Sequence, residues 1–155
     1  KPLFQPNKDD TEEPEELPPI TTTGENTFGC LVNGEVWLPA GPDRYNRGFD
    51  EGTGQFAFGA SRERPDESIG ETLGLTGKVD ITSKLVTAYS CAFVSTSNDH
   101  FYSYAMDTTA ANELVFLRVD IENNIASGTF EFTAVNEFPP YDTVHVTQGR
   151  FDFNY

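Results

Sequence analysis

The chain holds two cysteines, Cys30 and Cys91, and two histidines, His100 and His145. An even cysteine count permits one disulfide in an exported protein, and closing a loop of about 60 residues would contribute roughly 3–4.5 kcal/mol in the chain-entropy account. The alternative is that both thiols fill apolar strand faces as small hydrophobes. The histidines lie in alternating, strand-like stretches with no Gly-x-Ser-x-Gly elbow, so the sequence offers no serine nucleophile with its base, and they read as surface or edge imidazoles. No His or Cys cluster has zinc spacing.

Carboxylates gather in two glycine- and proline-containing stretches, Asp43, Asp50 and Glu51 in the first and Asp66, Glu67 and Glu71 in the second. Oxygen donors in loops suit calcium, yet neither stretch has the EF-hand spacing, and solvated loop charge is the simpler reading. A carboxylate pair for glycoside hydrolysis cannot be picked out of twenty-five acidic residues. Trp37, Tyr45, Tyr102, Tyr104 and Tyr141 are the candidates for a sugar-stacking surface, since an aromatic face with a polar tip suits that contact. Tyr102 and Tyr104 share a strand face with His100 and Met106, and they are the first choice for ligand contact. The competing role for all five is core packing, because large aromatics are highly buried on average.

Whatever these residues do, extended chain has to position them. Among 155 residues stand thirteen Phe, six Tyr and one Trp against a single Met, a balance that favours strands over helices. Asn33-Gly34 sits between TFGCLV and EVWLP and predicts a two-residue hairpin, because a type I′ turn needs positive φ at both central positions. In ELVFLRVDI, Val115, Leu117, Val119 and Ile121 alternate with Phe116, Arg118 and Asp120, and Asn123-Asn124 supplies the next turn. KLVTAYSCAFVST, residues 84–96, is apolar on both faces and predicts a central strand, with a buried helix as the alternative. Residues 40–54 and 61–70 have the Gly, Pro and Asp content of loops.

Gly-x-Phe-x-Phe occurs three times, as GQFAF at 54–58, GTFEF at 128–132 and GRFDF at 149–153. The period-two phenylalanines predict buried strand faces, with each glycine freeing the backbone at a turn or bulge just before the chain re-enters the core. On the last strand Val144 and Val146 share parity with Arg150 rather than with Phe151, so the pattern predicts a bulge near Gln148-Gly149. About eight to ten short strands without crossover helices imply an antiparallel β-sandwich, with a β-barrel as the alternative.

Charge narrows the partners. Twenty-five acidic residues against ten basic ones leave a formal charge of -15, which repels nucleic acid and anionic membrane surfaces. Residues 1–20 carry six carboxylates, two lysines and five prolines. That composition predicts an acidic, proline-rich flexible tether ahead of a single β-sandwich domain over residues 21–155. No run of about 18 apolar residues is available to span a membrane.

LPPITTTGENTFGCLVNGEVWLP at 17–39, ENNIASGTFEFTAVN at 122–136 and VTQGRFDFNY at 146–155 together resemble a family of small secreted lipoproteins of the Bacteroidetes type, an uncharacterised all-β domain. The resemblance runs from about residue 17 to the end of the chain. It implies an extracytoplasmic domain, periplasmic or on the cell surface, held by a lipidated cysteine just ahead of an acidic linker. Cys30 and Cys91 lie too far inside the domain to be that residue, so any membrane contact would run through an anchor outside these residues. The family supplies no catalytic residues. The expected role is non-enzymatic binding of a glycan, peptide or protein partner at the cell envelope, or a structural role there, without a required cofactor. A carboxylate-dependent hydrolase is the alternative.

Overall fold

The computed structural model describes residues 15–64, 69–97 and 100–155. Most of the expected tether and the carboxylates of Asp66 and Glu67 lie outside the described residues. The described chain is all β, with ten strands: β1 (Thr27–Val32), β2 (Glu35–Trp37), β3 (Tyr45–Phe49), β4 (Gln55–Arg64), β5 (Ile69–Val79), β6 (Val86–Ser97), β7 (His100–Met106), β8 (Glu113–Asp120), β9 (Ile125–Asn136) and β10 (Thr143–Asn154). All ladders are antiparallel, in the order β2-β1-β10-β9-β7-β6-β5-β4-β3. β9 forks the sheet: its first half pairs with β8 and its last residues pair with β7 along the same edge.

The sheet folds over so that β2-β1-β10-β9-β8 faces β3-β4-β5-β6. The Phe58 ring of β4 lies 5.3 Å from Phe151 and 5.6 Å from Phe153 of β10, and Phe56 lies 5.0 Å from Phe116 of β8. Edge and tilted ring pairs of this kind add about 0.5–1.5 kcal/mol each beyond the area they bury. A single parallel bridge joins Ala40, just past β2, to Arg62 of β4, but no continuous ladder follows it. The architecture is therefore sandwich-like, and the sheet does not close into a barrel.

All six phenylalanines of the repeated pentapeptide are buried between these layers. Two of the repeats lie side by side in antiparallel register, which places Gly128 opposite Phe151 and Phe130 opposite Gly149. A Cβ on Gly149 would fall 2.3 Å from the Phe130 ring, and one on Gly128 would fall 2.8 Å from the Phe151 ring. In the third repeat Phe56 lies opposite Gly77 and covers it in the same way. The expectation that glycine frees the backbone holds at Gly54, whose φ is +73°. At β10 the bulge falls where the parity requires it, between Val146 and Gly149, yet the left-handed residue is Gln148 with φ 51°. There, Gly149 serves by leaving room for a ring.

The first hairpin forms as expected, with Asn33 and Gly34 at φ 50° and 83°. β6 is central, between β5 and β7, and residues 71–79 all belong to one strand, β5. The two segments expected to be loops carry strand as well. β3 lies inside 40–54, and β4 continues through Arg64 before β5 begins at Ile69. β3 is recruited by its ladder with β4, and residues 61–64 by the long β4–β5 ladder, and this cross-strand pairing overrides their loop-like composition.

The alternation expected for β8 holds in its first half. Leu114 and Phe116 are buried, whereas Val115 and Leu117 point to solvent. A bulge between Phe116 and Arg118 then shifts the parity, so that Val119 turns partly inward. The β8–β9 turn spans residues 121–124, longer than the two-residue turn read at Asn123-Asn124. Asp120 caps it by accepting from the Asn123 amide and side chain, and those bonds, with Arg118, hold its carboxyl down at about 2.

Candidate binding surface

Both cysteines are free, buried thiols, Cys30 on β1 and Cys91 on β6. Burial pushes each up to about 12, with Arg62 and Arg150 pulling weakly the other way at Cys30. Neither is a nucleophile in that state. His145 is exposed on β10, 3.3 Å from the Thr133 hydroxyl, and the His100 ring stacks over Tyr102.

The described carboxylates of the two acidic stretches, weighed as calcium donors and read as solvated loop charge, have separate roles. Asp50 Oδ1 accepts from the Gly52 and Thr53 amides and shapes the β3–β4 turn, and Glu51 accepts from the Tyr155 hydroxyl. Asp43 is an exposed turn residue with φ 51°. Glu71 lies on β5, away from that turn. Among the described residues no three metal-ligating side chains converge.

Glu71 instead anchors a cluster at one mouth of the sandwich. Its Oε2 accepts from Trp37 Nε1 at 2.8 Å and from Arg62 Nε at 2.9 Å, while the Arg62 guanidinium lies 5.5 Å over the indole. The pair sits beside a cavity of about 390 Å³ that Asn33 and Glu35 also line. Three strands, β2, β4 and β5, are tied here through one carboxylate oxygen. Trp37 is fully buried, as its position beside the hairpin turn suggested.

The aromatics divide sharply. Tyr104, one of the two expected ligand contacts, is buried against Phe93, and its hydroxyl donates to Asp142 Oδ2 at 2.8 Å. Burial, reinforced by that carboxylate, raises its phenol to about 12. Tyr102, the other, is half-buried, and Tyr45 packs edge-on to Phe153. Of the five candidate aromatics, Tyr141 alone is open, at 62% exposure, and two residues absent from the candidate set stand with it: Phe101 at 68% and Phe138 at 70%.

Register brings these three to one end of the sheet. β7 pairs with β9 through Tyr104, Ala105 and Met106, so its first residues run past the end of β9, alongside the 137–142 connection. That connection is braced from within. Asn136 N donates to Asp142 O, Phe138 N to Asn136 Oδ1 and Tyr141 N to Phe138 O. Tyr141 is held at φ 54°, a left-handed conformation that costs a non-glycine residue about 1–3 kcal/mol and concentrates at functional sites. Its Phe-Pro-Pro-Tyr tip therefore presents two rings outward on a fixed support. The signal available in the sequence was the aromatic-proline composition of 138–141, which carries no alternation.

A second group that the strand pattern does not single out is Asp152. It lies on the outward side of β10, yet residues 17–25 run over it and bury it. Its carboxylate accepts from the Thr21 hydroxyl and from the Thr23, Gly24 and Glu25 amides, at 2.7–3.1 Å. Arg150 and Arg118 add bonds to the Pro18 and Thr22 carbonyls, and Leu17 and Pro18 pack over Gly29. Searches against family models, curated proteins and solved structures find no match to this chain.

Proposed function

We propose that this chain is a non-enzymatic binding domain of the cell envelope that takes a glycan on Phe101, Phe138 and Tyr141. The observation that carries the reading is the exposure of three aromatic rings at one end of a sheet whose other phenylalanines are largely interior. Flat rings on a braced loop suit the apolar faces of sugar rings, and little conformational entropy is lost on contact. Placement outside the cytoplasm, through a lipid anchor ahead of the acidic N-terminal segment, rests on the family resemblance. Calorimetry against a panel of polysaccharides tests the role. Binding that falls about tenfold or more in the Phe138→Ala, Tyr141→Ala double variant supports it. Absence of binding across the panel, or binding indifferent to both substitutions, overturns it.

A hydrolase is the second reading, favoured by one observation: Glu35 and Glu71 line the same cavity beside Trp37. Against it, Glu71 Oε2 is engaged by Arg62 and the indole. Turnover of a glycoside substrate that disappears in Glu35→Gln would favour this reading over binding alone.

A further inference from the structure

The outer edge of β8 is open. Among the described residues its backbone ladder is with β9 alone. Across from that edge lies the first half of β6, which pairs with β5 but meets β7 only from Ala92 onward. One bond caps the edge: Lys84 Nζ donates to the Leu117 carbonyl at 3.4 Å. A lysine beside a free strand edge is a common guard against unwanted pairing.

The outward face of β8 is built unlike a solvated one. Val115 and Leu117 are each 39% exposed, with Leu85 at 66% and Ile121 at 44% near the same end. At the other end Glu113 stands directly opposite Glu131, both exposed. Like charges in direct cross-strand register are destabilising, and Glu131 offsets this only in part by accepting from the Gln148 amide at 3.2 Å. A cation placed over the two carboxylates would reverse that sign. A second copy of this chain is a poor occupant, because it would bring another -15 charge and another Glu113–Glu131 pair to the same edge.

We propose that the β8 edge takes an extended segment of a partner protein as an added strand. The segment carries a Lys or Arg facing Glu113 and Glu131 and apolar side chains at the alternate positions over Val115 and Leu117. Backbone pairing supplies the affinity of such a complex, and the period-two side chains supply its selectivity. Lys84 then acts as a displaceable guard.

The test uses a short labelled peptide of alternating valine and threonine that ends in lysine, titrated against the full chain by fluorescence anisotropy. Hydrogen exchange at the β8 amides is read in parallel. Expected are saturable binding, slower exchange along β8, a loss of about fivefold in Glu113→Gln and a gain in Lys84→Ala. The same peptide ending in glutamate fails to bind. Phe138→Ala leaves peptide binding unchanged, which separates this site from the glycan surface. Absence of binding, equal binding in Glu113→Gln, or unchanged β8 exchange overturns the proposal. So does sedimentation showing that the chain dimerises through β8 and excludes the peptide. All three substituted residues are exposed, and an unchanged thermal midpoint confirms that each variant is folded.

Discussion

The ring of Phe151 fills the space that a Cβ on Gly128 would need, and across the same ladder Phe130 fills the space above Gly149. Each glycine is the socket for the other strand's first phenylalanine. Two copies of Gly-x-Phe-x-Phe in antiparallel register thus interlock, and the repeat is explained by packing rather than by recognition.

Gly128→Ala and Gly149→Ala should each destabilise the protein by about 1–3 kcal/mol, the usual cost of overpacking a filled core. Gly128 belongs at the upper end, because its Cβ would also lie 2.3 Å from the Val115 carbonyl oxygen, which is backbone and cannot swing aside. Gly74→Ala is the control, since nothing lies within 4 Å of the added carbon. Urea unfolding midpoints decide the matter; equal midpoints for Gly74→Ala and Gly149→Ala would contradict the interlock.

Asp152→Asn should release residues 17–25 and cost about 1–3 kcal/mol at pH 7, because three amides and a hydroxyl lose a charged acceptor. Burial pushes the Asp152 carboxyl up, and the bonds from Thr21, Glu25, Gly24 and Thr23 more than offset it, leaving the group below its usual 3.8. A carboxyl depressed in the folded state contributes in full above the unfolded value, and that stability is lost as pH falls through the folded value. The wild-type chain should therefore lose stability below about pH 4 more steeply than the variant. Thermal melts from pH 7 to pH 2.5 provide the comparison.

Glu71→Ala leaves the Trp37 indole N–H and the Arg62 guanidinium without their shared acceptor in a mostly covered site. A loss of about 2–3 kcal/mol is expected, less than for a fully buried pair because both side chains keep some solvent. Trp37 is the chain's single tryptophan, so its emission should shift to longer wavelength as the cluster loosens. Unchanged emission and stability would show that the cluster contributes little.

Cys30 and Cys91 should resist thiol reagents at pH 8 in the folded protein and react together on unfolding, with no change in mass on reduction. Burial holds both near 12, far above the pH of the assay. A mass increase of two hydrogens on reduction would instead reveal a bridge.

Short-range sterics made much of this fold legible in the sequence. Asn33-Gly34 accepts positive φ with little strain, and phenylalanines at period two can bury one face of extended chain and no face of a helix. The all-β class, the first hairpin, the central β6 and the bulge before Gly149 all followed from such local rules. Tertiary structure alone decided which face of β8 turns inward, because Val115 and Phe116 are both apolar and only the rings of Phe56 and Phe151 select the latter. It also decided that Asp152 is covered, since the covering residues lie more than 125 positions away in the chain. Likewise, the placement of Phe101 at the same end of the sheet as Phe138 and Tyr141 depends on where β7 joins β9. A local pattern fixes the period of a strand, but the face it buries and the company its side chains keep are set by partners the chain reaches only when folded.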